Sequence, residues 1–127
     1  MTANATTGKT RVLIVEDDFL LRMDAMQMIE EAGFDVLEAT NADEAIAILE
    51  ARTDIDVIFT DIDMPEGSMN GLKLAHAVRG RWPPIRIVTT SGHFQVTRDQ
   101  LPSGAAFLPK PYDFRNVTST IRGLMAG

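Results

Sequence analysis

The chain has 127 residues, enough for about one domain with a single hydrophobic core. It is 45% apolar and 24% charged, as in ordinary globular proteins, and its net charge of −6 argues against a nucleic-acid surface. It has no cysteine, which excludes disulfides and thiol catalysis, and no apolar run near the roughly 20 residues that span a bilayer. We therefore expect a cytoplasmic protein with neither a membrane nor a nucleic-acid partner.

Short apolar runs alternate with helical patterns along the chain after a loose tail at residues 1–10, so that 11–127 form the predicted domain. In chain order, the predicted elements are strand Arg11–Val15, a helix ending at Ala32, strand Phe34–Ala39, helix Ala42–Ala51, strand Asp56–Thr60, helix Leu72–Arg79, strand Ile85–Thr90, a short helix near Phe94–Leu101, strand Ala105–Leu108 and helix Phe114–Met125. This alternation predicts a doubly wound α/β fold, with five parallel strands and helices on both faces of the sheet.

Local signals refine these elements. Asn41 and Glu44 have the spacing of a capping box, Asp18 is placed to cap the first helix, and Gly80 is interpreted as the end of the third. The fourth helical segment has a poor apolar pattern and meets Pro102, so we expect it to be short or irregular. The predicted inward stripe of the first helix consists of Leu21, Ala25, Met28, Ile29 and Ala32.

Polar side chains stand where four of the predicted strands end. Glu16 and Asp17 follow the first strand, Asp61 the third, Thr90 closes the fourth, and Lys110 follows the fifth. The carboxyl ends of parallel strands meet at one edge of the sheet, which is where such folds bind ligands. We therefore expect three acids, a hydroxyl and an ammonium group to converge there.

This set of groups suits phosphate chemistry. Neighbouring carboxylates repel one another unless a cation intervenes, and an all-oxygen site suits Mg²⁺, with Mn²⁺ as an alternative. Lys110 can pair with phosphate oxygens, and Thr90 can donate a hydrogen bond to them. An aspartate beside such groups, Asp61, is equipped to attack phosphorus and form an aspartyl phosphate.

Four motifs carry a family resemblance, and they read VLIVEDD, DVIFTDIDMPEG, IVTTSG and FLPKPY in that order. Their order and spacing over about Arg11–Met125 resemble the receiver domain of two-component response regulators, which has a flavodoxin-like fold. The resemblance implies a signalling switch rather than a conventional enzyme, in a single-domain form that catalyses only its own phosphorylation and dephosphorylation. It implies as partners a histidine kinase or phosphotransfer protein and an unknown downstream protein, with a monomer or a phosphorylation-linked dimer.

The resemblance also assigns roles to individual positions. It implies that Asp61 accepts the phosphoryl group from a phosphohistidine, that Glu16, Asp17 and Asp61 hold the metal, and that Asp63 offers it a backbone carbonyl. Thr90 and Lys110 would contact the phosphoryl oxygens. Thr90 and Phe107 would form the switch, and the Lys110–Pro111 peptide bond would be cis. Two departures are a loop after Asp63 about two residues longer than usual and a slightly short segment between Thr90 and Lys110.

A second stripe on the first helix has two interpretations. Phe19, Met23 and Met26 recur at helical spacing, so they either cover the edge of the core or form an exposed docking surface beside Asp61. In receivers, the helical bundle of the kinase or phosphotransfer protein docks in this region.

Two other functions compete with the switch. Asp61 and Asp63 have the spacing of the nucleophile and acid/base of haloacid-dehalogenase-type phosphohydrolases, but that class would want its nucleophile on the first strand. A nucleotide-binding or purely structural α/β module is the other, but EDD stands where a glycine-rich phosphate loop would follow the first strand.

Overall fold

The computed structural model describes residues 8–64, 69–92 and 96–127. Most of the predicted tail, residues 65–68 of the lengthened loop and residues 93–95, which include the start of the predicted fourth helix, lie outside these ranges. The elements are β1 Arg11–Val15, α1 Phe19–Glu31, β2 Asp35–Ala39, α2 Ala42–Ala51, β3 Val57–Asp61, α3 Gly71–Arg81, β4 Arg86–Ser91, a 3₁₀ turn Arg98–Gln100, β5 Ala106–Pro109 and α4 Phe114–Ala126.

The five strands form one parallel sheet in the order β2-β1-β3-β4-β5. Helices α1 and α4 pack on one face, where Ile29 and Val117 join the core, and α2 and α3 pack on the other, where Leu49 and Leu74 do the same. β1 and β3 are buried along their whole length, as continuous apolar runs in a parallel sheet require. The predicted doubly wound five-stranded fold is confirmed, and the strand bounds differ from the prediction by one residue at most.

Short polar side chains begin the helices. Asp18 Oδ1 accepts from Leu21 N at 3.0 Å, and Asn41 Oδ1 accepts from Glu44 N at 2.8 Å, so both predicted N-caps are confirmed. The Glu44 side chain accepts from Thr40 N at 2.7 Å, one residue before the amide that a capping box uses. Gly80 does not end α3, as the sequence suggested, because the helix continues to Arg81 and the amide of Trp82 still donates to Val78 O. An exposed helix tolerates glycine at a modest cost.

The predicted inward stripe of α1 is wrong at two positions. Leu21 and Met28 are 38% and 40% exposed, whereas Arg22 is buried beside Ala25 and Ile29. The guanidinium of Arg22 is paired, since its Nε lies 2.8 Å from Glu38 Oε1 and its NH1 group donates to Glu16 O at 2.9 Å. These partners allow the charge to be buried where an apolar residue was expected.

The connection from β4 to β5 is short and irregular, as predicted, with only the 3₁₀ turn among residues 96–105. Two side chains of α3 hold it. His76 Nε2 lies 2.7 Å from Gln100 O, and Arg79 Nε donates to Ser103 O at 2.9 Å. Side chain to backbone bonds therefore replace the packing of a regular helix here.

Among the residues that the structure describes, no helix is both long and apolar enough to cross a membrane.

The start of α3 lies very close to the end of β3. Gly71 is buried, its amide donates to Ile62 O at 3.2 Å, and a Cβ atom at this position would stand 1.9 Å from Asp61 O. Glycine is therefore needed here for close approach rather than for an unusual φ.

We expect Gly71→Ala to lower the free energy of unfolding by about 1–3 kcal/mol, because the backbone of β3 must shift to admit the methyl group. Gly80→Ala is the matched control, since nothing lies within 4 Å of its added Cβ. Alanine there should raise the free energy of unfolding by about 0.5–1 kcal/mol through its higher helix propensity. Urea unfolding measures both, and equal effects of the two substitutions would contradict the close-approach argument.

Candidate functional site

The polar groups predicted at the strand ends meet at one edge of the sheet. Asp61 is in register with Thr90 across β3 and β4, and Ser91 is in register with Pro109 across β4 and β5. Lys110 follows β5 directly, and its amide donates to Ser91 O at 3.0 Å. The central strands thus deliver the acids and the hydroxyl, and the edge strand delivers the lysine.

Three carboxylates form the centre of the site. Glu16, Asp17 and Asp61 each place one carboxylate oxygen within 4.8 Å of the others, at the floor of an open cleft. Glu16 and Asp61 are 4% and 3% exposed, so water compensates little of their repulsion. A set of oxygen donors with this much negative charge fits a hard divalent cation such as Mg²⁺.

Lys110 is the nearest cation. Its Nζ lies 3.0 Å from Asp61 Oδ2 and 3.4 Å from Glu16 Oε1, and it neutralises part of the cluster. The Lys110–Pro111 peptide bond is cis, as the family resemblance implies. The carboxylate and the ammonium group face the same cleft, so a phosphoryl group bound there would meet both.

The site shifts the proton affinities of its members. Burial and then the charge of Asp61 raise the pKa of Glu16 to about 7. Burial also raises the pKa of Asp61, although hydrogen bonds from the Asp63 amide and Lys110 offset part of this effect. For Lys110, burial disfavours the charged form, but the bond to Asp61 and the neighbouring negative charges outweigh it and raise the pKa.

Thr90 brings an unpaired hydroxyl into this edge of the sheet. The residue is 2% exposed, and its Oγ1 has no hydrogen-bond partner within the described ranges. It does not bond to Asp61 either. A buried hydroxyl without a partner costs about 1–3 kcal/mol of stability. Its position opposite Asp61 makes it a donor available to a group attached to that aspartate.

Asp63 has separate contacts through its backbone and its side chain. Its amide donates to Asp61 Oδ1 at 3.0 Å. Its carboxylate accepts from Ser91 Oγ at 2.9 and 3.0 Å and from Gly92 N at 2.9 Å. The side chain is therefore turned towards the β4 loop and lies outside the three-carboxylate cluster.

The residues predicted for the switch and for the docking surface differ in their exposure. Phe107 is half-buried on β5, in register with Thr89. Phe19 is 62% exposed, Met23 is half-buried, and Met26 is half-buried and packs against the core below α1. The exposed large apolar residues of this helix are Phe19, Leu20, Leu21 and Met28, so Phe19 is the exposed member of the stripe formed by Phe19, Met23 and Met26.

Two residues that contribute contacts to the site had no role assigned to them from the sequence. Arg22 supports the turn that carries the acidic pair by donating to Glu16 O, and Ser91 binds the Asp63 carboxylate. The burial of Arg22 could have been predicted from its spacing, because Arg22, Ala25 and Ile29 lie three and four residues apart and fall on one face of a helix. A stripe through these residues fits the sequence as well as the predicted stripe does.

A family model for the response regulator receiver domain matches residues 12–122. The chain is a receiver domain. This family is a signalling family of two-component systems, whose members bind Mg²⁺ at an acidic pocket and interact with histidine kinases or phosphotransfer proteins. The match favours the switch over the phosphohydrolase and the nucleotide-binding or structural module.

Individual proteins support the same assignment. The receiver domain is 31% identical to the sensor kinase CckA of Brucella abortus over 97% of the chain and 13% of that protein. It is 31% identical to the transcriptional regulatory protein PdtaR of Mycobacterium tuberculosis over 87% of the chain and 54% of that protein. Among solved structures, the receiver domain of the hybrid histidine kinase CckA has a TM-score of 0.76 and 29% identity, covering 91% of this chain and 98% of that one.

The raised pKa of Glu16 predicts a pH dependence for the metal-free receiver domain. Between pH 4.5, the ordinary pKa, and about 7, the folded state holds a proton that the unfolded state has released. The contribution of Glu16 to the free energy of unfolding is therefore fully present below pH 4.5. It is lost, at a cost of about 1–3 kcal/mol, as the pH rises through 7. Glu16→Gln should flatten this decline in urea unfolding with a chelator present.

Glu30→Gln, at an exposed position of α1, is the control and should leave the pH profile unchanged. Parallel profiles for wild type and Glu16→Gln would contradict the assigned shift.

Proposed function

We propose that this receiver domain accepts a phosphoryl group on Asp61 from a phosphohistidine of a histidine kinase or phosphotransfer protein. The observation that carries the proposal is the buried Asp61 carboxylate, held 3.0 Å from Lys110 Nζ and beside the acidic pair Glu16 and Asp17. An Asp61 oxygen forms the bond to phosphorus as the phosphorus–nitrogen bond breaks, and the imidazole leaves with the bonding electron pair and takes up a proton.

Each neighbouring group has a part in this transfer. Lys110 offsets the charge of Asp61 as the anionic donor approaches, and the unpaired hydroxyl of Thr90 donates to a phosphoryl oxygen. Glu16, Asp17, Asp61 and the backbone carbonyl of Asp63 would hold Mg²⁺. When bound, the ion neutralises charge on the phosphoryl oxygens and carboxylates.

The output of the switch is contact with another protein or drainage of phosphate from a kinase. Thr90 pairs with Leu108, and Phe107, the residue before Leu108, pairs with Thr89, so Thr90 and Phe107 are diagonal neighbours on adjacent strands. Movement at the end of β4 can therefore reach Phe107 through β5. We assign the switch to this pair, in a cytoplasmic domain that is a monomer or a phosphorylation-linked dimer.

The phosphohistidine partner docks beside α1 in this proposal. Phe19 and its exposed neighbours Leu20 and Leu21 stand next to the cleft, which Leu21 also lines. Met23 and Met26 are half-buried, and Met26 packs against the core. Exposed large apolar side chains beside a functional cleft are typical of protein–protein contacts.

Incorporation of phosphate from acetyl phosphate tests the proposal. Wild type with Mg²⁺ should be labelled, and Asp61→Asn should lose essentially all label because an amide oxygen is a poor nucleophile for phosphorus. Asp99→Asn, an exposed acid of the 3₁₀ turn, is the matched control and should label as wild type does. Equal labelling of the Asp61→Asn variant would contradict the assignment.

Calorimetric titration with Mg²⁺ tests the metal ligands. Asp17→Asn should weaken binding by at least about tenfold, because one of three converging carboxylates is lost. Asp24→Asn removes a charge from α1, the helix that follows Asp17, but not from the cluster, and should change the affinity less than about twofold. Equal losses in the two variants would mean that only overall charge matters.

A further inference from the structure

We propose that the Asp63 side chain is a positioning group, which with Ser91 and Gly92 holds the Thr90 hydroxyl ready for a group on Asp61. This inference rests on the proposed function and adds residues that the phosphotransfer chemistry itself does not require. Its basis is the pair of hydrogen bonds from Ser91 Oγ and Gly92 N to the Asp63 carboxylate.

Thr90 and the two residues after it are tied to the loop that carries Asp61. Thr90 O accepts from Ile62 N at 2.8 Å. Ser91 Oγ and Gly92 N donate to the Asp63 carboxylate, both at 2.9 Å. These three hydrogen bonds, called the bracket below, fix the end of β4 from Thr90 onwards to the residues immediately after Asp61.

The same loop is fixed to Asp61 itself, because the amide of Asp63 donates to Asp61 Oδ1 at 3.0 Å. Asp63 thus contacts the phosphoacceptor through its backbone and the residues after Thr90 through its side chain. These bonds form a route between the two groups that must meet on one phosphoryl oxygen, in addition to the strand pairing of Asp61 with Thr90 and the bond from Ile62 N to Thr90 O.

The bonds of this route matter because the Thr90 hydroxyl has no hydrogen-bond partner within the described residues. A buried donor without a partner would be relieved if the end of β4 shifted to offer it one. The bonds to Asp63 oppose that shift, so the Thr90 hydroxyl stays available to donate to a phosphoryl oxygen. A donor held in place needs no reorganisation when negative charge arrives, which is the condition for strong electrostatic stabilisation.

Titration with beryllium and fluoride, whose complex is a phosphoryl analogue, tests the inference at saturating Mg²⁺. The readout is the apparent Kd from the amide NMR signals of Thr90 and Gly92. Ser91→Ala removes one bond of the bracket and should weaken binding by roughly threefold to tenfold, on the scale of one hydrogen bond. Ser119→Ala, an exposed serine of α4, is the matched control and should bind as wild type does.

A second background separates positioning from a general structural effect. If the bracket acts through the hydroxyl, Ser91→Ala should have little further effect in Thr90→Val, measured over a concentration range wide enough to saturate that weaker variant. Unchanged or tighter binding by Ser91→Ala would overturn the inference, as would the same fold-change in both backgrounds. Absence of binding by wild type would instead overturn the proposed function and the inference with it.

Discussion

Repulsion among buried carboxylates is the constraint on which the rest of this domain depends. The parallel sheet brings Glu16, Asp17 and Asp61 together at its carboxyl edge, where Glu16 and Asp61 are buried, Asp17 is half-buried, and little water screens the buried pair. Lys110 compensates one charge, protonation of Glu16 can compensate another below about pH 7, and a divalent cation would compensate more. The site is therefore built to gain from a cation and then from an anion that the cation attracts.

The surrounding scaffold keeps this unfavourable arrangement in place. Arg22 uses a buried guanidinium to hold the carbonyl of Glu16, and Gly71 lets α3 approach the backbone of Asp61 without a side chain between them. Both contacts act on backbone atoms next to the acids rather than on the carboxylates. The acids consequently keep their oxygens directed to the cleft while their main chain is fixed by neighbours on α1 and α3.

The sequence predicted the order of elements and the convergence of Asp61, Thr90 and Lys110, because buried parallel strands read as continuous apolar runs and end at one edge. It did not predict which face of α1 packs on the core, because a helix with apolar residues on several sides fits more than one stripe. The burial of Arg22 also depends on its pairing with Glu38 of β2, which no pattern within α1 reveals. The contact of Asp63 with Ser91 was equally out of reach, because a side-chain rotamer and a pairing across 28 residues leave no local pattern.

The two side chains that hold the β4–β5 connection have a consequence for how this segment can vary. His76 and Arg79 bind the carbonyls of Gln100 and Ser103, and every amino acid supplies a carbonyl. Substitutions at positions 100 and 103 therefore leave the acceptors in place, whereas a substitution of His76 or Arg79 removes the donor. The side chains that this segment presents can thus change their chemical character while its attachment to α3 stays the same.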